Sequence, residues 1–485
     1  MTRSRLFLTI CTVATAVSVQ LVAAQVPAAA GEDHGGGDGV RVLSGVSPFA
    51  AGCPGRPGEE SAITGAEVEP AVTVDPNDPR RIVATWQQDI GSPAARSDLV
   101  ASSHDGGRTW RTSTIPGLTA CTGGGGDLAS DPWLSTGGDG TVYFSGTAGF
   151  VADSAPPIAV VASRSTDGGR TWAPPTTVAP VDPGNDTDSI TASPTRDGHA
   201  YLVWATWDHA YQVPMTANAL RFSRTTDGGA SWSTPVTIHQ PTTTAIDFSG
   251  HVLVLPGGEL LAVWANADVA AGVGTLLASR SPDEGRTWEP AVAIGARPVG
   301  SFADPETGNE LPQPGFPSST VGPDGTVYVT SEASTSPDAG VVSVSRSEDG
   351  GRTWTSSDLP GVTAFAFEPA IAVDAHGTVG ITWYDLRNDR RGDAMLTTDV
   401  WFARSRDQGA TWRQEHLAGP FDLRTAPNNR LGEYQGLAGL GRGFAAVFTM
   451  SRPAAEDGPS DVFVALAGTC GRGGGDRSPE DDGSD

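Results

Sequence analysis

Short apolar runs, cut by Gly, Pro, Asp and Asn, recur from about residue 40 to residue 466. Runs this short, rich in Val, Ile, Ala and Trp, read as buried strands, and no stretch holds a helical period for a convincing length. The runs come in pairs. Glu69-Pro-Ala-Val-Thr-Val-Asp75 leads into Arg81-Ile-Val-Ala-Thr-Trp86, and Glu368-Pro-Ala-Ile-Ala-Val-Asp374 leads into Thr378-Val-Gly-Ile-Thr-Trp383. Similar pairs lie at 131–144, 189–204, 248–264, 318–329 and 437–448.

Behind each of the first six pairs stands a second motif. Ser103-His-Asp105-Gly-Gly107-Arg-Thr109-Trp110 recurs at 165–172, 225–232, 281–288, 347–354 and 405–412, always as Ser/Thr-x-Asp-x-Gly-x-Thr/Ser-Trp. Its aspartates are Asp105, Asp167, Asp227, Asp283, Asp349 and Asp407, 56 to 66 residues apart. The chemistry is that of a turn. A short carboxylate accepts backbone N–H groups, Gly supplies positive φ, and the Trp ring packs beneath the hairpin. These Asp-box residues are therefore structural. Four-stranded units at a fixed period mean an all-β propeller. Seven four-stranded blades are expected. The last one has no box, uses 437–448 and 461–466, and is closed by an N-terminal strand at Val40–Leu43. Six blades plus an extra hairpin is the alternative.

The ends set the compartment. Arg3 and Arg5, the apolar run Leu6–Leu21 and the small residues Val22-Ala23-Ala24 or Ala28-Ala29-Ala30 read as a signal peptide over 1–30. An uncleaved anchor is the competing reading. A Gly/Asp-rich linker follows at 31–39, the propeller spans 40–470, and 471–485 reads as a disordered acidic tail. The expected protein is secreted and monomeric, with no membrane contact after cleavage.

The net charge of -25 carries no lysine at all, so every basic residue apart from histidine is an arginine. That acidity argues against nucleic acid as a partner. Otherwise the charge reads as a device for solubility, and the expected partner, an extracellular glycan or glycoconjugate, rests on the candidate site residues instead. Cys11 falls inside the apolar run. Cys53 and Cys121 both precede first strands of adjacent blades and are expected to pair, which leaves Cys470. No Cys/His metal pattern occurs, and no cofactor is expected. Calcium is the one metal the oxygen-rich runs Asp75–Pro79 and Asn185–Asp188 would suit, although ordinary turns explain both.

Sites on a propeller gather on the face opposite the boxes, around the axis. The links that face it carry Glu69, Asp89, Asp131, Asp188, Asp247, Glu368, Asp385 and Glu433, with Trp133, Tyr384 and Tyr434 and with Arg387, Arg424 and Arg430. Paired carboxylates can act as acid, base or nucleophile in glycoside cleavage, and aromatic faces hold sugar rings. The recurrent Trp86, Trp204, Trp264 and Trp383 read as packing between blades.

Through its six boxes the chain resembles the bacterial sialidase (neuraminidase, BNR-repeat) superfamily. The resemblance implies a carboxylate-binding arginine clamp, a Tyr nucleophile paired with a Glu, and an Asp acid/base. By position along the blades rather than by motif, Asp89, Glu433, Tyr434, Tyr384 and Asp385 are the catalytic candidates for those roles. Arg387, Arg424, Arg430, Trp133 and Asp131 become candidates for substrate binding. The segment that opens the first blade departs from the family's arginine motif. It reads Glu67-Val68-Glu69-Pro70, an anionic stretch where a cationic clamp belongs. Strict exo-sialidase activity is therefore not implied. The leading reading is a secreted sialidase-like glycoside hydrolase. A non-catalytic carbohydrate- or protein-binding propeller and a polysaccharide lyase are the alternatives.

Overall fold

The computed structural model describes residues 39–468 apart from 50, 54–61, 92–94, 151–157, 183, 207–217, 243–244, 269–272, 299–302, 310, 312–315, 337–338, 363–364, 393, 428–429 and 453–457. The signal segment, the tail and Cys470 therefore lie outside the described residues. Seven antiparallel four-stranded sheets form the blades of a propeller. Blades 1 to 6 occupy residues 67–114, 128–182, 185–239, 245–298, 318–358 and 366–422. Blade 7 takes Gly436–Gly439, Phe444–Ser451 and Ser460–Ala467 from the C-terminal end. Its outermost strand is Val40–Val42, with Val40 opposite Ala465 and Val42 opposite Phe463. The two ends of the chain thus close one sheet, and the ring has seven blades, not six.

The apolar runs are buried on both sheet faces because each blade is covered by its neighbours. Trp86, Trp204, Trp264 and Trp383 are all at most 2% exposed. Each packs into a cluster that includes the preceding blade: Trp86 with Val447 and Val462, Trp204 with Tyr143 and Val160, Trp264 with Tyr201 and Phe222, Trp383 with Tyr328 and Val342. Burying about 200 Å² of ring at about 25 cal/mol/Å² is worth about 5 kcal/mol per Trp before entropy is counted.

The boxes form one hydrogen-bond pattern. In the first, Asp105 Oδ1 accepts from the N–H groups of Arg108 (3.0 Å) and Thr109 (2.9 Å), and Oδ2 accepts from the Thr109 hydroxyl (2.6 Å). The Ser103 hydroxyl accepts from the Gly107 N–H at 2.8 Å. In the second and fourth boxes the equivalents of that glycine sit against the preceding blade. A Cβ on Gly169 would meet Val83, and one on Gly285 would overlap the Phe222 ring; both residues also have positive φ. Only glycine meets both demands.

The boxes also tie the blades together. The arginine just before each of the five later boxes reaches the next blade. Arg164 donates to the Gly228 carbonyl, Arg224 to that of Glu284 (2.7 Å), Arg280 to that of Gly350, Arg346 to that of Gln408 (3.3 Å) and Arg404 to that of Gly468 (3.2 Å). In blade 1, His104 faces the Gly168 carbonyl at 3.1 Å. The seventh link comes from the closing strand, where Arg41 donates to the Arg108 carbonyl at 2.9 Å. On the other face Cys53 and Cys121 are joined, with Cα atoms 5.2 Å apart, so the N-terminal segment is fixed to the link between blades 1 and 2.

Two measurements test this framework. Arg280 is 5% exposed and paired to Glu259, so Arg280→Met should lower the unfolding free energy by about 2 kcal/mol in denaturant titration. The Ser231 hydroxyl and N–H hold the Asp227 carboxyl down to about 2, and Thr411 does the same for Asp407. A lowered pKa means the unfolded chain binds protons first. Stability contributed by the boxes should therefore be complete above about pH 4 and lost as pH falls toward 2, as a thermal-melt series in pH would read.

Candidate active site

Each inner strand starts at the end opposite the boxes, and five of the seven are bulged near that start. The register breaks between Val68 and Ala71, Ser130 and Trp133, Asp186 and Asp188, Phe248 and His251, and Phe367 and Ala370. One residue in or beside each break has positive φ: Glu69 (56°), Asp131 (56°), Thr187 (45°), Ser249 (53°) and Glu368 (49°). For a residue with a Cβ this costs about 1 to 3 kcal/mol. Three of the five are acids followed by proline, at Glu69-Pro70, Asp131-Pro132 and Glu368-Pro369. The bulge is what turns these carboxyl groups toward their neighbours around the axis.

The result is a buried acidic group. Burial, first of all, raises the Glu69 carboxyl to about 7. Arg430 pulls against this, and Asp186 adds to it. Burial, then Asp186, Glu69 and Asp188, push Asp131 well above the usual range. Asp98 is raised by burial and by Asp188 and Glu69, and Glu368 by burial and by Glu332 and Glu69. Gln87 donates to Glu69 and to the Ser130 hydroxyl, which lies 3.1 Å away. Asp131 lies 3.4 Å from Ser130 and 3.5 Å from Thr147, and its carboxyl is hydrogen-bonded to that of Asp186. Carboxyls this close cannot all ionise, so they hold protons as a group at neutral pH.

An aromatic cluster lies beside this group. The Tyr434 hydroxyl donates to the Pro132 carbonyl at 3.1 Å, which links blade 7 to blade 2 past blade 1. The Trp133 ring sits 5.2 Å from Tyr434 and 4.8 Å from His251, and Phe316 stacks 6.0 Å from Tyr434. Trp133 stays partly exposed. Arg430 carries the positive charge: it is ion-paired to Glu433 and lies 3.7 Å from Glu69.

Of the residues singled out from sequence, Asp131, Trp133, Arg430, Glu433 and Tyr434 are therefore together, and Glu69, Asp188 and Glu368 join them. The others lie elsewhere. Asp89 accepts from Ser47, the Gly65 N–H, Gln88 and Arg96, all at 2.7–2.9 Å, and so anchors the N-terminal segment. Tyr384 is buried between blades 6 and 7, bonded to the Thr449 backbone. Asp385 accepts from Trp383 and Arg387, and the Arg387 guanidinium lies 3.9 Å from the Trp401 ring centre. Arg424 is held by Asp304 (2.7 Å) and Glu306 (3.0 Å). Asp247 is engaged by His239, Trp264 and Asn266. Sequence reading missed Glu332, Gln87, His251 and Phe316 and gave Asp98 no role. The thrice-repeated acid-Pro step at the head of an inner strand marks Glu69, Asp131 and Glu368, and no such step marks the missed residues. Of the oxygen-rich runs, Asp75 accepts from the Asn77 N–H and Asp78 pairs with Arg80, as turns do. Among the described residues, no three His, Cys, Asp or Glu side chains are placed to share a metal ion.

A family model described as a BNR repeat-like domain matches residues 219–433. A search of the curated proteins finds no match to the chain. Among solved structures, a protein of unknown function from Dyadobacter fermentans is 14% identical, with 88% of this chain and 100% of that one covered and a TM-score of 0.44. An alpha-L-arabinanase of Penicillium chrysogenum, complexed with arabinobiose, is 15% identical over 70% and 93% of the two chains, with a TM-score of 0.45. A Hadza microbial sialidase is 16% identical over 79% and 76%, also with a TM-score of 0.45.

The raised carboxyls have a consequence for stability. A carboxyl whose pKa rises from 4.5 to about 7 on folding binds its proton more tightly in the folded state. Its stabilising effect is complete below about pH 4.5 and is lost as pH rises through 7, by on the order of 3 kcal/mol. Glu69→Gln should therefore be more stable than the parent at pH 8 and level with it at pH 5. Equal destabilisation at both pH values would refute the assignment.

Proposed function

We propose that this chain, a sialidase-like propeller of BNR repeats, is a secreted glycoside hydrolase acting on extracellular glycans that carry no acidic group. The observation that carries this reading is the axial set of coupled carboxyls with one arginine and a partly exposed Trp beside them. Two carboxyls whose environments differ can supply an acid and a base from the same chemistry. Arg430 and Gln87 both favour the ionised form of Glu69. Asp131 has Asp186, Glu69 and Asp188 around it and keeps its proton. On this reading Asp131 gives that proton to the glycosidic oxygen as the bond to the anomeric carbon breaks. A water adds its oxygen to the anomeric carbon and loses a proton to Glu69. The products are an alcohol and a reducing sugar, and proton exchange within the group restores the starting state. Trp133 offers a ring face for the sugar. The segment 1–30, read as a signal peptide, supports secretion.

The charge supports a neutral substrate. Arg387 and Arg424 are held by Asp385, Asp304 and Glu306, which leaves Arg430 alone among these acids. A sialic or uronic acid would meet repulsion here rather than a bidentate clamp. This weighs against strict exo-sialidase and lyase chemistry. A non-catalytic glycan-binding propeller remains the second reading. It is favoured by the depth of Glu69 and Asp131, which are 3% and 7% exposed.

Purified protein should release aglycone from a neutral aryl pentoside or hexoside, α-L-arabinofuranosides among them, and not from sialosides or uronosides. Glu69→Gln and Asp131→Asn should each lower kcat by about a hundredfold or more with no drop in melting temperature. The rate should rise with pH through about 7 as Glu69 ionises. Sialoside turnover, or neutral-glycoside turnover indifferent to both substitutions, would defeat the proposal.

A further inference from the structure

The lead-in to blade 7 wraps around Glu69. Leu431 accepts a hydrogen bond from the Glu69 N–H at 3.2 Å. Gly432, with φ at 123°, lies so close that a Cβ there would be 2.9 Å from the Glu69 nitrogen. On either side of these two residues stand Arg430 and Glu433, and their side chains meet in an ion pair. The Glu433 carbonyl accepts from the Phe316 N–H at 2.8 Å, so its backbone is pinned from blade 5. The Arg430 side chain is 41% exposed, whereas Glu69 beneath it is 3% exposed. The guanidinium therefore has two carboxylates in reach. It is bonded to the outer one and stops 3.7 Å from the inner one.

Resting on the hydrolase reading above, we propose that Glu433 is a positioning residue, which holds the Arg430 guanidinium off Glu69 and so keeps Glu69 basic enough to take a proton from water. Were the guanidinium to close on Glu69, it would stabilise the carboxylate and weaken it as a base. Of the other groups that face Glu69, Asp186 acts on it by charge, Gln87 and Tyr434 bond to it, and its own charge raises Asp131, Asp98 and Glu368. Arg430 is the partly exposed cation in the set, with a second carboxylate in reach, so its position is the one Glu433 can set.

The test is direct titration of Glu69, followed by isotope-edited infrared spectroscopy on protein with labelled glutamate and assigned by its loss in Glu69→Gln. In Glu433→Gln the Glu69 midpoint should fall by about half a pH unit or more as Arg430 turns inward. In Arg430→Gln it should rise, and Glu433→Asp should restore most of the parent value. The acid limb of kcat/KM should move in the same directions. An unchanged Glu69 midpoint in Glu433→Gln, in protein that melts like the parent, overturns the proposal. If the midpoints move as expected and no glycoside is cleaved, the positioning role stands and the hydrolase reading alone fails.

Discussion

Seven separate sheets stay in one ring because every blade is bonded to the next at the box face, and the ring has no weak joint. Five of those bonds use an arginine at the same place in the repeat. The first blade uses His104 instead, and the seventh link needs Arg41 from the opposite end of the chain. A carbonyl bonded by guanidinium is a charge-assisted contact, stronger than a neutral one and more directional than an ammonium would give. That fits a chain with no lysine. Each box is thus both a turn and an anchorage: its aspartate shapes the loop, and the shaped loop presents the carbonyl that the previous blade grips.

Rigidity at the rim is what permits strain at the axis. Positive φ at Glu69, Asp131 and Glu368 persists only where the surroundings leave no alternative. Cross-blade bonds supply that constraint. The Glu368 N–H is taken by Glu332 at 2.8 Å and its carbonyl by Gln435 at 2.7 Å, from the blades on either side. Burying acids against acids also costs free energy, by desolvation and like-charge repulsion, and this cost falls at the same place as the bulges. Strain and uncompensated charge gathered at one end of the axis are what a site looks like before anything is bound.

The fold was legible because a propeller repeats its local chemistry. Six boxes, the paired runs and a missing fourth strand answered by Val40–Val42 each restate the period, and turn residues act through their own neighbours. The site was legible only where it too lies in the repeat. Asp131, Glu433 and Tyr434 stand at the heads of inner strands, and position alone pointed to them. Asp89 and Asp385 occupy the ends of second strands, and nothing in their spacing shows that Arg96 and Arg387 already occupy them. Glu332 joins the group from blade 5, across a distance in sequence that no local pattern spans. Pairing between blades is decided by which side chains face each other around the ring, and that is not written in any one repeat.

The same ring fixes what the site can accept. A propeller brings one inner strand per blade to the axis, so the site's charge is the sum of seven short contributions. Here blades 1, 2, 3, 5 and 6 contribute acids, and the last blade's lead-in contributes the arginine. Arg387 and Arg424 come from the link and turn segments of blade 6, where acidic partners already hold them. The head of the first blade, where the sialidase resemblance implies an arginine, carries Glu69, and Asp131 and Glu368 stand at two other heads. On the proposed reading, the acidic heads would exclude an anionic sugar by their charge and would supply the proton-holding groups that a neutral one requires. Specificity and chemistry would then follow from one choice, repeated at three points of the ring, of an acid before a proline.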